Sequence, residues 1–259
     1  MKVGIVGAMT QEVALLQRDL KDIRRQRRGM REYMQGELYG KEAVLVFSRC
    51  GKVAAASTVT TLIEAFNADF IVFTGVAGAA DPLLEIGDVV IGTAFVQHDL
   101  DARPLFRRFE VPLLDKILFA TAADIVALAR ESARSYLDEE MDRDIPAISL
   151  SAFGIRSPPR LHEGLVASGD QFIADPAKLT ELRNALVAAG LPAPLCVEME
   201  GAAVAQVCDE HEVPLAIMRI ISDKADHSAG VDFTSFIDEV ASHFTRGIVE
   251  GFLRRLPAR

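Results

Sequence analysis

Short apolar, β-branched runs alternate along this chain with longer segments of helical periodicity, and that alternation constrains the fold more than any other feature. KVGIVG is followed by a helical pattern over 11–23, EAVLVF by GKVAAASTVTTLIEAF, and DFIVFTG by a glycine-rich loop and then DVVIGTAFVQ. The second half repeats the order with GLVASGD, a helix over 176–188, LCVEM running into EGAAVAQVCDE, PLAIMRIISD, and a closing helix over 233–253. Runs such as FIVF and LAIM are apolar without interruption, as strands covered on both faces must be. The expected fold is therefore α/β: a single domain over residues 1–259, three layers deep, with one mixed central sheet flanked by helices.

Two stretches depart from the alternation. RRQRR at 24–28 is a basic island in an acidic chain and reads as a solvated connection after the first helix. Residues 138–162, with DEEMDRD and SPPR, read as an inserted or mobile excursion, either a lid or a decoration.

Charge and cysteine usage narrow the partners. The chain carries 28 Lys+Arg against 37 Asp+Glu, a formal net charge of −9. A duplex nucleic-acid binder draws most of its affinity from basic residues on phosphates, so a small-molecule partner is expected and a nucleic acid is not. No run approaches the roughly 18 apolar residues of a membrane span, and the N-terminal stretch lacks the apolar core of a secretory signal. Cys50, Cys196 and Cys208 are odd in number and lie among apolar neighbours. They are expected as buried thiols in a reducing compartment, hence a cytoplasmic protein.

Ligands of open α/β sheets bind at the carboxyl ends of strands, so the polar residues that end each apolar run are the candidates. Five junctions qualify: AMTQE, VAGA, DQFI, EMEG and SDKAD. They bring Glu12, Glu198, Glu200, Asp223 and Asp226 to strand–helix junctions inside apolar sequence. One such carboxylate would serve to stabilise a helix N-terminus; several together point to a shared acidic pocket. Such a pocket can hold a divalent metal or perform acid–base chemistry on a glycosidic bond. His98, His162, His211, His227 and His243 show no HExxH spacing, no cysteine pair has zinc spacing, and Ser222 lies outside any GxSxG elbow. Gly75 and Gly78 in TGVAGA either bring backbone N–H groups to a ligand oxygen or form a tight turn.

Eight blocks occur in order: GIVGAMTQEV, GKVAAA, FTGVAGA, GDVVIG, HDLDA, SGDQFI, VEMEGAAVAQVC and RIISDKAD. Together they resemble the signature blocks of the 5′-methylthioadenosine/S-adenosylhomocysteine nucleosidases, within the purine nucleoside phosphorylase superfamily. The likeness runs over 2–226 and continues as the expected closing helix, with 138–162 the poor match. It implies a homodimer that hydrolyses the N-glycosidic bond of an adenine thionucleoside without metal or cofactor. By the same resemblance Asp223 would protonate purine N7, oriented by Ser222, while Glu12 would activate water with Arg219 nearby. Glu200 would bind the ribose hydroxyls, Met199 would pack on the sugar, Phe172 would stack on the base, and the backbone of Ile173 would read its edge. Ala8, Met9, Cys50 and Gly78 would line the ribose and alkylthio end.

The chain departs from the family pattern at Val76, where many members carry a serine whose hydroxyl helps position water or ribose. The segment HDLDARPLFRRFEVPL would reach a partner subunit's pocket, with Phe106, Phe109 and Pro112 as candidates. Phosphorolytic relatives resemble a design with Gly-Asp-Pro-x-Arg in the first loop; GAMTQE replaces it here, and a glutamate repels the phosphate that an arginine recruits. Alternatives on the same fold are a futalosine-type or general purine nucleoside hydrolase, and a nucleoside-binding sensor without turnover.

Overall fold

The computed structural model describes residues 1–226 and 233–257; His227 lies outside them. Among these residues the strands are β1 (Lys2–Gly7), β2 (Lys21–Arg28), β3 (Arg31–Leu38), β4 (Lys41–Phe47), β5 (Phe70–Ala79), β6 (Val89–Gln97), β7 (Phe119–Ala120), β8 (Leu161–Ser168), β9 (Cys196–Glu198) and β10 (Leu215–Asp223). A 3-10 turn (Gln11–Val13) leads into helix α1 (Ala14–Asp19), followed by α2 (Lys52–Phe66), α3 (Ala123–Glu139), α4 (Met141–Asp144) and α5 (Ala147–Ala152). Then come α6 (Pro176–Ala188), α7 (Gly201–Glu210), α8 (Phe233–Phe236) and, after a π-helical stretch (Ile237–Ala241), α9 (Ser242–Arg255).

All strands belong to one mixed sheet in the order β10-β6-β8-β9-β5-β1-β4-β3-β2, with β7 on β6. The continuous apolar runs are buried on both faces, as expected for central strands. In β5, Phe70 and Val72 pack into one core with α3 and α9, whereas Ile71 and Phe73 pack into a second core with α2 and α7. In β10, Met218 and Ile220 face the first core, and Ile217 and Ile221 face the second. Uninterrupted hydrophobicity is the consequence of period-2 side chains meeting apolar partners on both sides.

One property of the sheet goes beyond a layered arrangement. β10 pairs with β5 as well as with β6, so β5, β10, β6, β8 and β9 form a closed ring, from which β1, β4, β3 and β2 extend as an arm. Three-residue β9 completes the ring, pairing parallel with β8 and antiparallel with the end of β5 through Gly78↔Val197 and Ala79↔Cys196. Closure brings the ends of strands that are distant in sequence around one opening.

Several local expectations are corrected. The first helix ends at Asp19, and residues from Lys21 form β2, an exposed edge strand paired antiparallel with β3. RRQRR therefore lies in a hairpin rather than in a connection. Arginine is a good helix former, and cross-strand pairing with 31–38 overrides that preference. TGVAGA is no loop: β5 runs through Ala79. Residues 138–152 fold largely as helical turns, and Met141, Ile145, Leu150 and Ile155 are buried in the same core as α3 and α9. Phe109, a candidate for reaching a partner, is buried within the chain, in one cluster with Val96 and Leu165. Cys196 and Cys208 are buried as expected, but Cys50 is exposed.

Candidate active site

A solvent-open cleft lies at the carboxyl ends of β1, β5, β8, β9 and β10. Its walls include Ala8, Met9, Glu12, Val76, Gly78, Phe172, Ile173, Met199, Glu200, Ser222 and Asp223, drawn from all five junctions picked out in the sequence, together with Cys50. Arg219 lies beneath the cleft, 1 % exposed, its guanidinium 4.1 Å above the Phe73 ring. Gln171, Ala77, Val197 and Glu198 also line the opening. No residue of 138–162 does so among the described residues.

Glu12 is held by the backbone on both sides of its carboxylate. The Met9 N–H donates to Oε2 at 2.8 Å and the Val76 N–H to Oε1 at 3.1 Å. The amide at position 76 thus reaches Glu12 whatever side chain the residue bears. Burial raises the Glu12 carboxyl above its ordinary value, against these hydrogen bonds and the charge of Arg219. Gly75 makes room for it: a Cβ there would lie 2.5 Å from Glu12 Oε1. The second glycine has the same use, since a Cβ on Gly78 would lie 2.9 Å from Asp223 Oδ1. Both glycines therefore serve close approach of a carboxylate to strand β5, and neither makes a turn.

Asp223 closes β10. The register of β10 on β5 shifts between Ile221 and Asp223, a bulge that bends the strand and re-aims its last side chains. Asp223 Oδ2 accepts from the Ser222 hydroxyl at 2.7 Å and Oδ1 from the Ala225 N–H at 2.8 Å. Burial dominates these bonds and raises the carboxyl, with the charge of Asp226 acting in the same sense.

Glu200 stands at the start of α7, yet its side chain does not cap that helix. Oε1 accepts from the Gly51 N–H at 2.7 Å, tying α7 to the turn before α2. Burial, followed by the charge of Glu198, pushes the Glu200 carboxyl up to about 8.

Glu198 is the residue whose part the sequence pattern does not reveal. Its carboxylate accepts from Arg219 Nη2 at 2.7 Å, from the Glu200 and Gly201 N–H groups, and from the Ser168 hydroxyl. It caps α7 and neutralises the buried guanidinium, so its charge is already committed. Glu198 and Glu200 alternate as strand residues on one face would, but β9 ends at Glu198 and the two diverge. Among the described residues no group of three or more His, Cys, Asp or Glu side chains is arranged to hold a metal ion.

Comparisons with known proteins identify the family. The model of the phosphorylase superfamily matches residues 2–254. A 5′-methylthioadenosine/S-adenosylhomocysteine nucleosidase from Actinobacillus succinogenes is 34% identical over 257 residues, covering 99% of this chain and 100% of that protein. The solved nucleosidase of the same description from Neisseria meningitidis, in complex with methylthio-immucillin-A, superposes with a TM-score of 0.84 at 32% identity, covering 98% of this chain and 99% of that one. The futalosine hydrolase of Helicobacter pylori strain 26695 superposes at 0.81 with 28% identity, covering 99% and 98%. The chain belongs to the 5′-methylthioadenosine/S-adenosylhomocysteine nucleosidase family of enzymes, within the phosphorylase superfamily.

Proposed function

We propose that the protein hydrolyses the N-glycosidic bond of adenine thionucleosides, methylthioadenosine and S-adenosylhomocysteine, to adenine and a thioribose. The observation that carries this reading is the placement of three buried carboxyl groups, Glu12, Glu200 and Asp223, around one cleft. Asp223, whose carboxyl is raised by burial, gives its proton to purine N7 as the C1′–N9 bond breaks, so that adenine leaves neutral. Positive charge gathers on the sugar, where Glu200 accepts from the ribose hydroxyls and the Met199 thioether packs. Glu12 takes a proton from water as its oxygen bonds to C1′. Arg219 supports this end of the cleft through its charge. Phe172 stacks on the base and the Ile173 backbone reads its edge, while Ala8, Met9, Cys50, Val76 and Gly78 line the sugar and alkylthio end. Acid, base and charge stabilisation all come from side chains, so the proposed reaction calls for no metal or cofactor.

Water as nucleophile is supported by the lining. It contains Glu12, Glu198, Glu200 and Asp223 and no lysine or arginine, while Arg219 below is paired with Glu198. That lining offers a phosphate dianion no lysine or arginine to bind it. Incubation with methylthioadenosine, with and without phosphate, is expected to release adenine and methylthioribose at equal rates. Formation of a ribose 1-phosphate would refute the hydrolytic reading. The likeness to futalosine hydrolase favours a second reading with a different nucleoside. A panel of 6-amino and 6-oxo purine nucleosides separates the two, because the Asp223 carboxylate accepts from a 6-amino group and repels a 6-oxo group.

A homodimer belongs to the same proposal. Val53, Leu105, Leu113 and Phe172 are large apolar side chains left exposed. A second copy of the chain would cover them and close the cleft.

The raised carboxyls make stability pH-dependent with a definite sign. Glu200 binds its proton more tightly folded than unfolded, so its stabilising contribution is complete below about 4.5 and is lost as pH rises to about 8. Glu12 and Asp223 act in the same sense. Melting temperature should therefore fall between pH 5 and pH 8.5, and Glu200→Gln should reduce that fall by several degrees, at roughly 2–4 °C per kcal/mol for a chain of this size. An unchanged slope in the variant would show that Glu200 is not the group concerned.

A further inference from the structure

Behind the rim of the cleft, three segments distant in sequence are joined by a closed ring of polar contacts. Lys52 Nζ pairs with Asp99 Oδ1 at 2.6 Å and donates to Gln97 Oε1 at 3.1 Å. The other Asp99 oxygen accepts from the Asp170 N–H at 2.8 Å, and Asp170 Oδ1 accepts from the Lys52 N–H at 2.7 Å, completing the circuit. The Lys52 and Asp99 side chains are 16 % and 14 % exposed, so solvent screens their pairing only in part. None of Lys52, Gln97, Asp99 and Asp170 lines the cleft.

What the ring holds does line it. One residue before Lys52, the Gly51 N–H carries Glu200, and Cys50 borders the opening. One residue after Asp170 begins the stretch Gln171, Phe172 and Ile173 that forms the base end of the cleft. Gly51 has φ +97°, and a Cβ there would lie 3.1 Å from Asp170 Oδ1, so the turn and the loop are fitted closely together. Asp99 is the member with both oxygens engaged, one on each segment.

We propose that Asp99, through Lys52 and Asp170, is a positioning residue that sets the sugar-binding carboxylate and the base-binding loop at a fixed separation. The inference rests on the reading of the cleft as a nucleoside site. Substrate spans the two ends, so loosening their separation costs the binding of a whole nucleoside, while the acid at the end of β10 and the base in the 3-10 turn, held by other segments, keep their places.

The test uses the full-length chain with Asp99→Asn, Lys52→Met and the double substitution. Each single change is expected to raise KM for methylthioadenosine about tenfold, the scale of losing a hydrogen bond to a charged group, with kcat within about threefold. The double variant should be no worse than either single one, because members of one circuit do not act additively. Amide hydrogen exchange should quicken in both 50–52 and 169–173 in each single variant. Effects that multiply in the double variant, a lowered kcat with unchanged KM, or unchanged exchange in either segment would overturn the proposal. Should wild-type protein release no adenine, the functional reading fails, and the exchange data still decide whether the ring couples the two segments.

Discussion

Asp223→Asn is expected to lower kcat for adenine release from methylthioadenosine by about 10²–10⁴-fold, the range for loss of a positioned general acid. Binding should survive. Asparagine can turn its carbonyl oxygen to the Ala225 N–H and its amide to Ser222 Oγ, which switches from donor to acceptor, so both contacts of the carboxylate have a substitute. What asparagine cannot supply is the proton for N7. Calorimetric titration of a non-hydrolysable nucleoside analogue, set beside single-turnover rates, separates binding from chemistry. Hydrolysis undiminished in this variant would remove Asp223 from the acid's place.

Glu12→Gln should cost a comparable factor in kcat for a different reason, and should also destabilise the fold. Both Glu12 oxygens accept backbone N–H groups, from Met9 and Val76. Glutamine has one carbonyl oxygen, so its amide must face one of these donors, leaving a buried N–H unpaired at about 1–3 kcal/mol. Relief of burying a carboxylate offsets part of that cost. The expected outcome is loss of turnover with a melting temperature a few degrees lower, whereas Asp223→Asn should melt near the wild type. Equal melting temperatures with full activity in Glu12→Gln would contradict both the assigned base and the described hydrogen bonding.

The difference between these two variants shows how much of the site is legible in the chain. Glu12, Glu198, Glu200, Asp223 and Asp226 stand out alike in the sequence, as carboxylates at strand–helix junctions inside apolar stretches, and the family resemblance is what separates Glu12, Glu200 and Asp223 as site residues. Their partners are another matter. Nothing local marks Val76 as a donor to Glu12, Gly51 as a donor to Glu200, or Glu198 as the counter-charge of Arg219, since each pair meets only after the strands assemble. A related limit explains β2. Apolar periodicity identifies strands that are buried, and an edge strand exposed along nearly its whole length has none to show.

Local pattern in the sequence determined the buried strands of the sheet, the two-sided core and the chain positions of the carboxylates. These depend on the period of side chains along the backbone, which each segment carries within itself. Only the tertiary structure decided the closure of β5, β10, β6, β8 and β9 into a ring, the protonation preferences of Glu12, Glu200 and Asp223, and the circuit of Lys52, Asp99 and Asp170. A carboxyl's pKa follows from the solvent it loses and the charges brought beside it, and both are set by contacts between residues far apart in the chain.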